Sequence, residues 1–255
     1  MSESVILCEG YYDRAFWAGW LEYLGCTDPG APSAVKRTRS PVLDPSGERV
    51  TGGHYAYHSP SGQFVRIVPC GGRPNILSEM RRRLDQRHVG PVKRLVVNTD
   101  ADIEATTTER EEGASHLETI ETQAKQFDSA AAVGPEEDVL LDGGETIISL
   151  IRWSAGDEPA AGIPKLQTLK RLVCTALVAA YPNRGPAIQQ WLDARPEAPA
   201  AGPKAFAWSH MAGWYAERGC DAFYRALWAD NGLVEELEAR LRSSGAWRIA
   251  EALAA

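Results

Sequence analysis

Apolar residues follow two patterns along this chain. In the first 155 residues they form short unbroken runs, separated by turn-rich or polar segments; after Lys165 they recur three and four apart. Short runs predict buried strands and stripes predict helices. Val5–Cys8 (VILC) is the first run, and Tyr12–Leu24 follows it as a helix. Phe16, Trp17, Trp20, Leu21 and Leu24 lie near one face of that helix, with Gly25 as its C′ residue. Thr27–Gly53, rich in Pro, Gly, Ser and Arg, predicts a long loop or a hairpin insertion. HYAYHSPSGQFVRIVPCGG predicts two strands joined by a Ser59–Gly62 turn. Pro74–Arg87 predicts a helix with an Ile76, Leu77, Met80, Leu84 stripe and with Arg81, Arg82 and Arg83 on its exposed side.

A second apolar run, LVV, lies within KRLVVNTDADIEA at Lys93–Ala105. The polar segment Thr106–Phe127 predicts an exposed helix or a partly mobile excursion. Ala130–Val133 and Glu145–Trp153 predict further strands. Beyond Lys165, Leu166, Leu169, Leu172, Val173, Leu177 and Val178 make a helical stripe. Trp191–Leu192, Phe206–Tyr215, Phe223–Trp228 and Leu233–Leu241 continue a helical, Trp-rich tail, and Trp208, Trp214 and Trp228 are expected in its core. Strands alternating with helices, then helices alone, predict an α/β domain over residues 1–155 and a helical C-terminal section over 156–255 packed on it.

Composition narrows the function. The formal net charge of −7 is not the footprint of a free-standing, non-specific nucleic-acid binder. No apolar stretch is long enough to span a bilayer, and the N-terminus lacks the basic and apolar regions of a signal peptide. The five cysteines are odd in number, widely spaced and without CxxC, which fits small buried hydrophobes in a reducing cytoplasm.

The chemistry lies where the two apolar runs end. Val5–Cys8 leads into Glu9 and Gly10, with Asp13 one helical turn on; the second run leads into Asp100 and Asp102. A carboxylate at the end of a buried strand is costly to desolvate and wants a cationic partner. In a parallel sheet such residues stand at the carboxyl edge, where α/β ligand sites lie. Asp100 and Asp102 are two apart, so in extended geometry both point the same way. Converging hard oxygen ligands suit Mg²⁺ or Mn²⁺. Helix capping and first-turn acids explain the same positions without a metal; for Asp13 both readings stand.

EGYYD at Glu9–Asp13 after VILC resembles the first motif of the Toprim domain, and NTDAD at Asn98–Asp102 after LVV resembles its DxD motif. The resemblance covers roughly residues 1–155 and implies a mainly parallel sheet flanked by helices. It implies Glu9 as metal ligand or general acid/base, Asp100 and Asp102 as Mg²⁺ ligands, Asp13 as a second-site ligand, and Gly10 at the strand-to-helix turn. Ile103, Glu104 and Ala105 stand where many members carry a glycine. The helical tail resembles that of small stand-alone Toprim-like proteins.

The resemblance implies a metal-dependent phosphodiester enzyme, foremost a two-metal nuclease in which Glu9 and Asp13 hold one ion and Asp100 and Asp102 the other. The alternative is a regulatory Toprim module that binds nucleotide or nucleic acid, or that serves as effector subunit of a separately encoded ATPase. A primase-like nucleotidyl transferase is a third option. The acidic total favours a module or a partner-dependent nuclease. Arg73, beside Gly71 and Gly72, is a candidate phosphate contact; Lys36, Arg37 and Arg39 read as a solvated loop run, and His54 and His58 as surface residues rather than a zinc pair.

Overall fold

The computed structural model describes residues 3–28, 42–43, 49–50, 53–102, 109–155, 160–194, 201–215 and 220–255. The fold is α/β. A seven-stranded sheet runs in the order β4-β5-β1-β6-β9-β8-β7. Its strands are β1 (Glu3–Cys8), β4 (Tyr55–His58), β5 (Phe64–Pro69), β6 (Val92–Asp100), β7 (Ala132–Val133), β8 (Val139–Leu141) and β9 (Thr146–Trp153). The four central strands, β5, β1, β6 and β9, are mutually parallel, and the edges are antiparallel. Within the 27–53 segment, β2 (Val42–Leu43) and β3 (Arg49–Val50) pair as an antiparallel hairpin. Lys36, Arg37 and Arg39 lie outside the described residues.

Alternation along the buried strands feeds two cores. Val5, Leu7, Leu95, Val97 and Ile148 face the side covered by α2 (Arg73–Asp85) and α3 (Glu109–Ala124). Ile6, Cys8, Val96, Ile151 and Trp153 face the other side, covered by α1 (Tyr11–Tyr23) and by helices of the tail. Those are α4 (Leu169–Ala180), α7 (Cys220–Ala226), α8 (Asn231–Ser243) and α9 (Ala246–Ala254); α5 (Arg184–Asp193) and α6 (Pro203–Tyr215) lie between α4 and α7 in sequence. The tail shares the core of the sheet. Trp20 stacks on Trp228 with ring centroids 5.4 Å apart, and Trp17 stacks on Trp20 at 4.7 Å. Gly19 permits this: a Cβ there would come within 2.6 Å of Trp228 Cδ1 and 2.8 Å of Arg225 Cα. Gly25, at φ 87°, ends α1 as its left-handed C′ residue.

Several expectations change. β8 and α9 were not expected; β8 spans three residues, too short for a clear alternation. Arg83 is not part of the solvated face of α2: it is half-buried and pairs with Glu3 at 2.6 Å and Glu79 at 2.9 Å, because β1 begins with an acid beneath it. Trp208 is 52% exposed on α6 rather than in the core, whereas Trp228 is buried. Helical spacing shows that a residue shares a face with apolar neighbours, not that another element covers that face. The Trp214 side chain lies outside the described residues.

Candidate active site

Glu9 sits where β1 ends and ties three elements together. Its carbonyl accepts hydrogen bonds from the Gly71 and Gly72 amides at 3.0 and 2.9 Å, and its Oε1 accepts one from the Asp100 amide at 3.0 Å. Gly71 and Gly72 have φ of 76° and 118°, so the turn from β5 into α2 can aim both amides at that carbonyl. Asp13, in the first turn of α1, is 2% exposed and accepts a hydrogen bond from Trp153 Nε1 at 2.9 Å. Trp17 Nε1 bonds Asn98 Oδ1 at 2.9 Å, fixing α1 over the end of β6.

Asp100 points to the α1 side of the sheet, and both its oxygens are engaged. Oδ1 accepts from the Leu169 amide at 2.7 Å, capping α4, and Oδ2 meets Lys170 Nζ at 2.8 Å. Thr168 caps the same helix by accepting from the Arg171 amide, and Gln167 accepts from the Asp102 amide at 2.9 Å through its carbonyl. The start of α4 is thereby docked on the carboxyl edge, which brings Lys170 into the acids. Asp102 departs from the expectation: it does not continue β6 beside Asp100. It adopts φ 58° and is exposed, so the two-residue strand spacing no longer sets its direction. Aspartate tolerates this left-handed conformation better than most side chains.

The four acids interact electrostatically. Burial, then the Asp100 charge, pushes the Glu9 carboxyl up to about 7, with Asp13 and Asp102 adding in the same direction. Burial holds Asp13 up to about 6, partly offset by Lys170. Burial and Asp100 also raise Asp102, opposed by Lys170 and Arg73. Burial alone would depress Lys170, but Asp13, Asp100 and Glu9 together raise it above the ordinary lysine value. Four carboxylates thus share the neighbouring cations Lys170 and Arg73, and burial with mutual repulsion favours the protonated form of Glu9, Asp13 and Asp102.

Glu9 and Asp102 offer the hard oxygen donors that a divalent cation takes, while both Asp100 oxygens are engaged by Leu169 and Lys170. The arrangement is a charge cluster rather than a closed cage: among the described residues no group of three or more His, Cys, Asp or Glu side chains is placed to hold a metal ion. His54 and His58 stand apart from it. His58 packs edge-on against Phe64, and His54 is half-buried near Arg66 and Arg83, its pKa lowered to about 4 by burial and then by those cations.

Arg73 opens α2, and its guanidinium bonds the ring of His116 on α3. Lys170 escaped the sequence reading. The signal for it was a lysine in the first turn of a helix, two residues after a Thr cap. There the helix dipole disfavours a cation unless a carboxylate faces it.

No family model matches the chain, and no curated protein matches it. The crystal structure of a hypothetical protein from Pyrococcus horikoshii OT3 is similar to it, with a TM-score of 0.65 at 16% identity over 100% of this chain and 100% of that chain. At that identity the likeness speaks to the fold alone.

Proposed function

We propose that the protein is a Toprim-like, Mg²⁺- or Mn²⁺-dependent phosphodiester enzyme, a nuclease acting on DNA or RNA, with its site at the carboxyl edge of the parallel sheet. The observation that carries this reading is the crowding of Glu9, Asp13, Asp100 and Asp102 where β1 and β6 end, each of the four feeling the charge of another. A divalent cation held by Glu9 and Asp102 would supply activation of a water and stabilisation of charge on the phosphate. Glu9 accepts a hydrogen bond from the Asp100 amide and would take a proton from an attacking water. Lys170 holds Asp100 in place and partly offsets the burial that raises the Asp13 carboxyl. Asp13, buried and bonded to Trp153, contributes charge more than an open ligand position. Arg73, whose charge acts on Asp102, would be the contact for a phosphate oxygen.

The Lys170–Asp100 pair favours a second reading, a binding or regulatory module, because the site already carries an internal cation. Cleavage of labelled single- and double-stranded DNA and RNA in Mn²⁺, alone and with a separately encoded ATPase, decides between them. A nuclease is stopped by EDTA, and Glu9→Gln slows it at least about 10²–10³-fold, the scale of losing one transition-state stabilising group. A folded protein whose melting temperature rises in Mn²⁺ but which cleaves none of these substrates is the module.

A further inference from the structure

On the opposite face of the sheet from Asp100, a cavity of about 200 Å³ opens between α2, α3 and the carboxyl ends of β6 and β9. It is smaller than the roughly 300–1,000 Å³ of a drug-sized ligand site, so it suits one ring system rather than a whole substrate. Ile76, Leu77, Ile120 and Leu150 make its walls apolar. Thr99 also lines it. Thr99 is 5% exposed, and its hydroxyl finds no hydrogen-bond partner among the described residues. A buried hydroxyl left unpaired destabilises the empty protein, and that cost is recovered when a ligand brings a polar edge to it. Arg73, His116, Val97 and Thr119 complete the lining.

We propose that this cavity receives the nucleobase of one nucleotide, whose phosphate meets Arg73. The inference rests on the reading that the substrate is nucleic acid or nucleotide. A base is a flat, largely apolar body with a hydrogen-bonding edge, which matches mainly apolar walls that include the unpaired Thr99 hydroxyl. The Arg73 guanidinium bonds the His116 ring, and a bound nucleotide would share that pair, its base meeting the imidazole and its phosphate the remaining guanidinium donors. Thr99 precedes Asp100 directly and lies three residues from Asp102, at most about 10–11 Å along the chain. A nucleotide seated on Thr99 is therefore within about 10–11 Å of the exposed carboxylate of the cluster along the chain. Thr99 can donate or accept, so the cavity accepts any of the bases.

The test uses the full chain in EDTA and titrates deoxynucleoside 5′-monophosphates, the matching nucleosides and inorganic phosphate by calorimetry. Short oligonucleotides ending in a base or in an abasic site form a second arm. Monophosphates bind more tightly than nucleosides or phosphate. Thr99→Val weakens them about tenfold while melting no lower than the wild type, Thr99→Ser retains binding, and Leu77→Trp, which fills the cavity, abolishes it. Tight binding of monophosphates supports a free nucleotide as occupant; binding only of oligonucleotides with a terminal base supports a strand end. No binding in either arm, or binding unchanged in Thr99→Val and Leu77→Trp, overturns the proposal. Cleavage in Mn²⁺ is followed in parallel. Cleavage indifferent to both variants removes the cavity and leaves the nuclease; binding through the cavity without cleavage does the reverse.

Discussion

At the scale of single residues, the site is a balance of buried charge. The Glu9 carboxyl is raised from 4.5 to about 7, so between those values the folded chain holds a proton that the unfolded chain has released. On this account stability is greatest below about pH 4.5, falls as pH rises, and reaches its full penalty above about 7. Asp13, raised from 3.8 to about 6, acts in the same direction. His54, lowered from 6.5 to about 4, acts oppositely, since it resists protonation in the fold as pH falls. Glu9→Gln isolates the first contribution and keeps an oxygen for the Asp100 amide. In EDTA at pH 8 it melts above the wild type, and the gap closes as pH falls toward 4.5. A gap that does not change with pH would remove charge crowding as its cause.

Lys170 is the complementary case. Its side chain is 11% exposed and that of Asp100 is 7% exposed, so the pair is largely out of water. Lys170→Met keeps the aliphatic length but leaves buried carboxylates without their cation, which costs about 3–5 kcal/mol. Urea unfolding in EDTA at pH 8 measures the loss, and adding Asp100→Asn recovers part of it. A loss no larger than that of an exposed ion pair, under about 1 kcal/mol, would mean that water already screens the cluster.

Among the elements, α1 is the pivot. It carries Asp13 into the site at one end and packs on α7 through Gly19 along its length. Helix propensity alone predicts that Gly19→Ala stabilises the protein by about 1 kcal/mol. The approach of Arg225 and Trp228 predicts the opposite, because overpacking costs about 1–3 kcal/mol. Gly19→Ala is therefore expected to lower the melting temperature; a rise would mean that α7 shifts away without loss. The start of α4 is the second organising element. Its amide and its lysine both engage Asp100, so the helical tail supplies part of the site and not only cover for the sheet.

For the whole molecule, one core joins the sheet to the tail. Phe16, Trp17 and Trp20 on α1 and Trp153 on β9 share a cluster with Phe223, Trp228, Leu237 and Trp247. Residues 1–160 expressed alone would leave several of these aromatic rings in water and would lack Lys170. This fragment is expected to aggregate or to form a dye-binding, non-cooperative state, read by thermal melting and by binding of a hydrophobic fluorophore. A soluble fragment that melts cooperatively would show that the sheet and α1 hold a sufficient core by themselves. Among the described residues no helix is long and apolar enough to cross a membrane.

The apolar runs VILC and LVV, the caps and the glycines are local, and local chemistry was enough to determine the central strands, most helices and the acids at two strand ends. β8 and α9 were not legible, one because it is short and the other because the tail pattern ran together. The direction of Asp102 was hidden by a backbone turn that its side chain tolerates but does not announce. Which cation meets Asp100, which tryptophan stays in solvent and which face of β6 holds a cavity were decided only by tertiary structure. Each depends on a partner in another element, as Lys170 is 70 residues from Asp100, and no periodicity within one segment records which distant segment will pack against it.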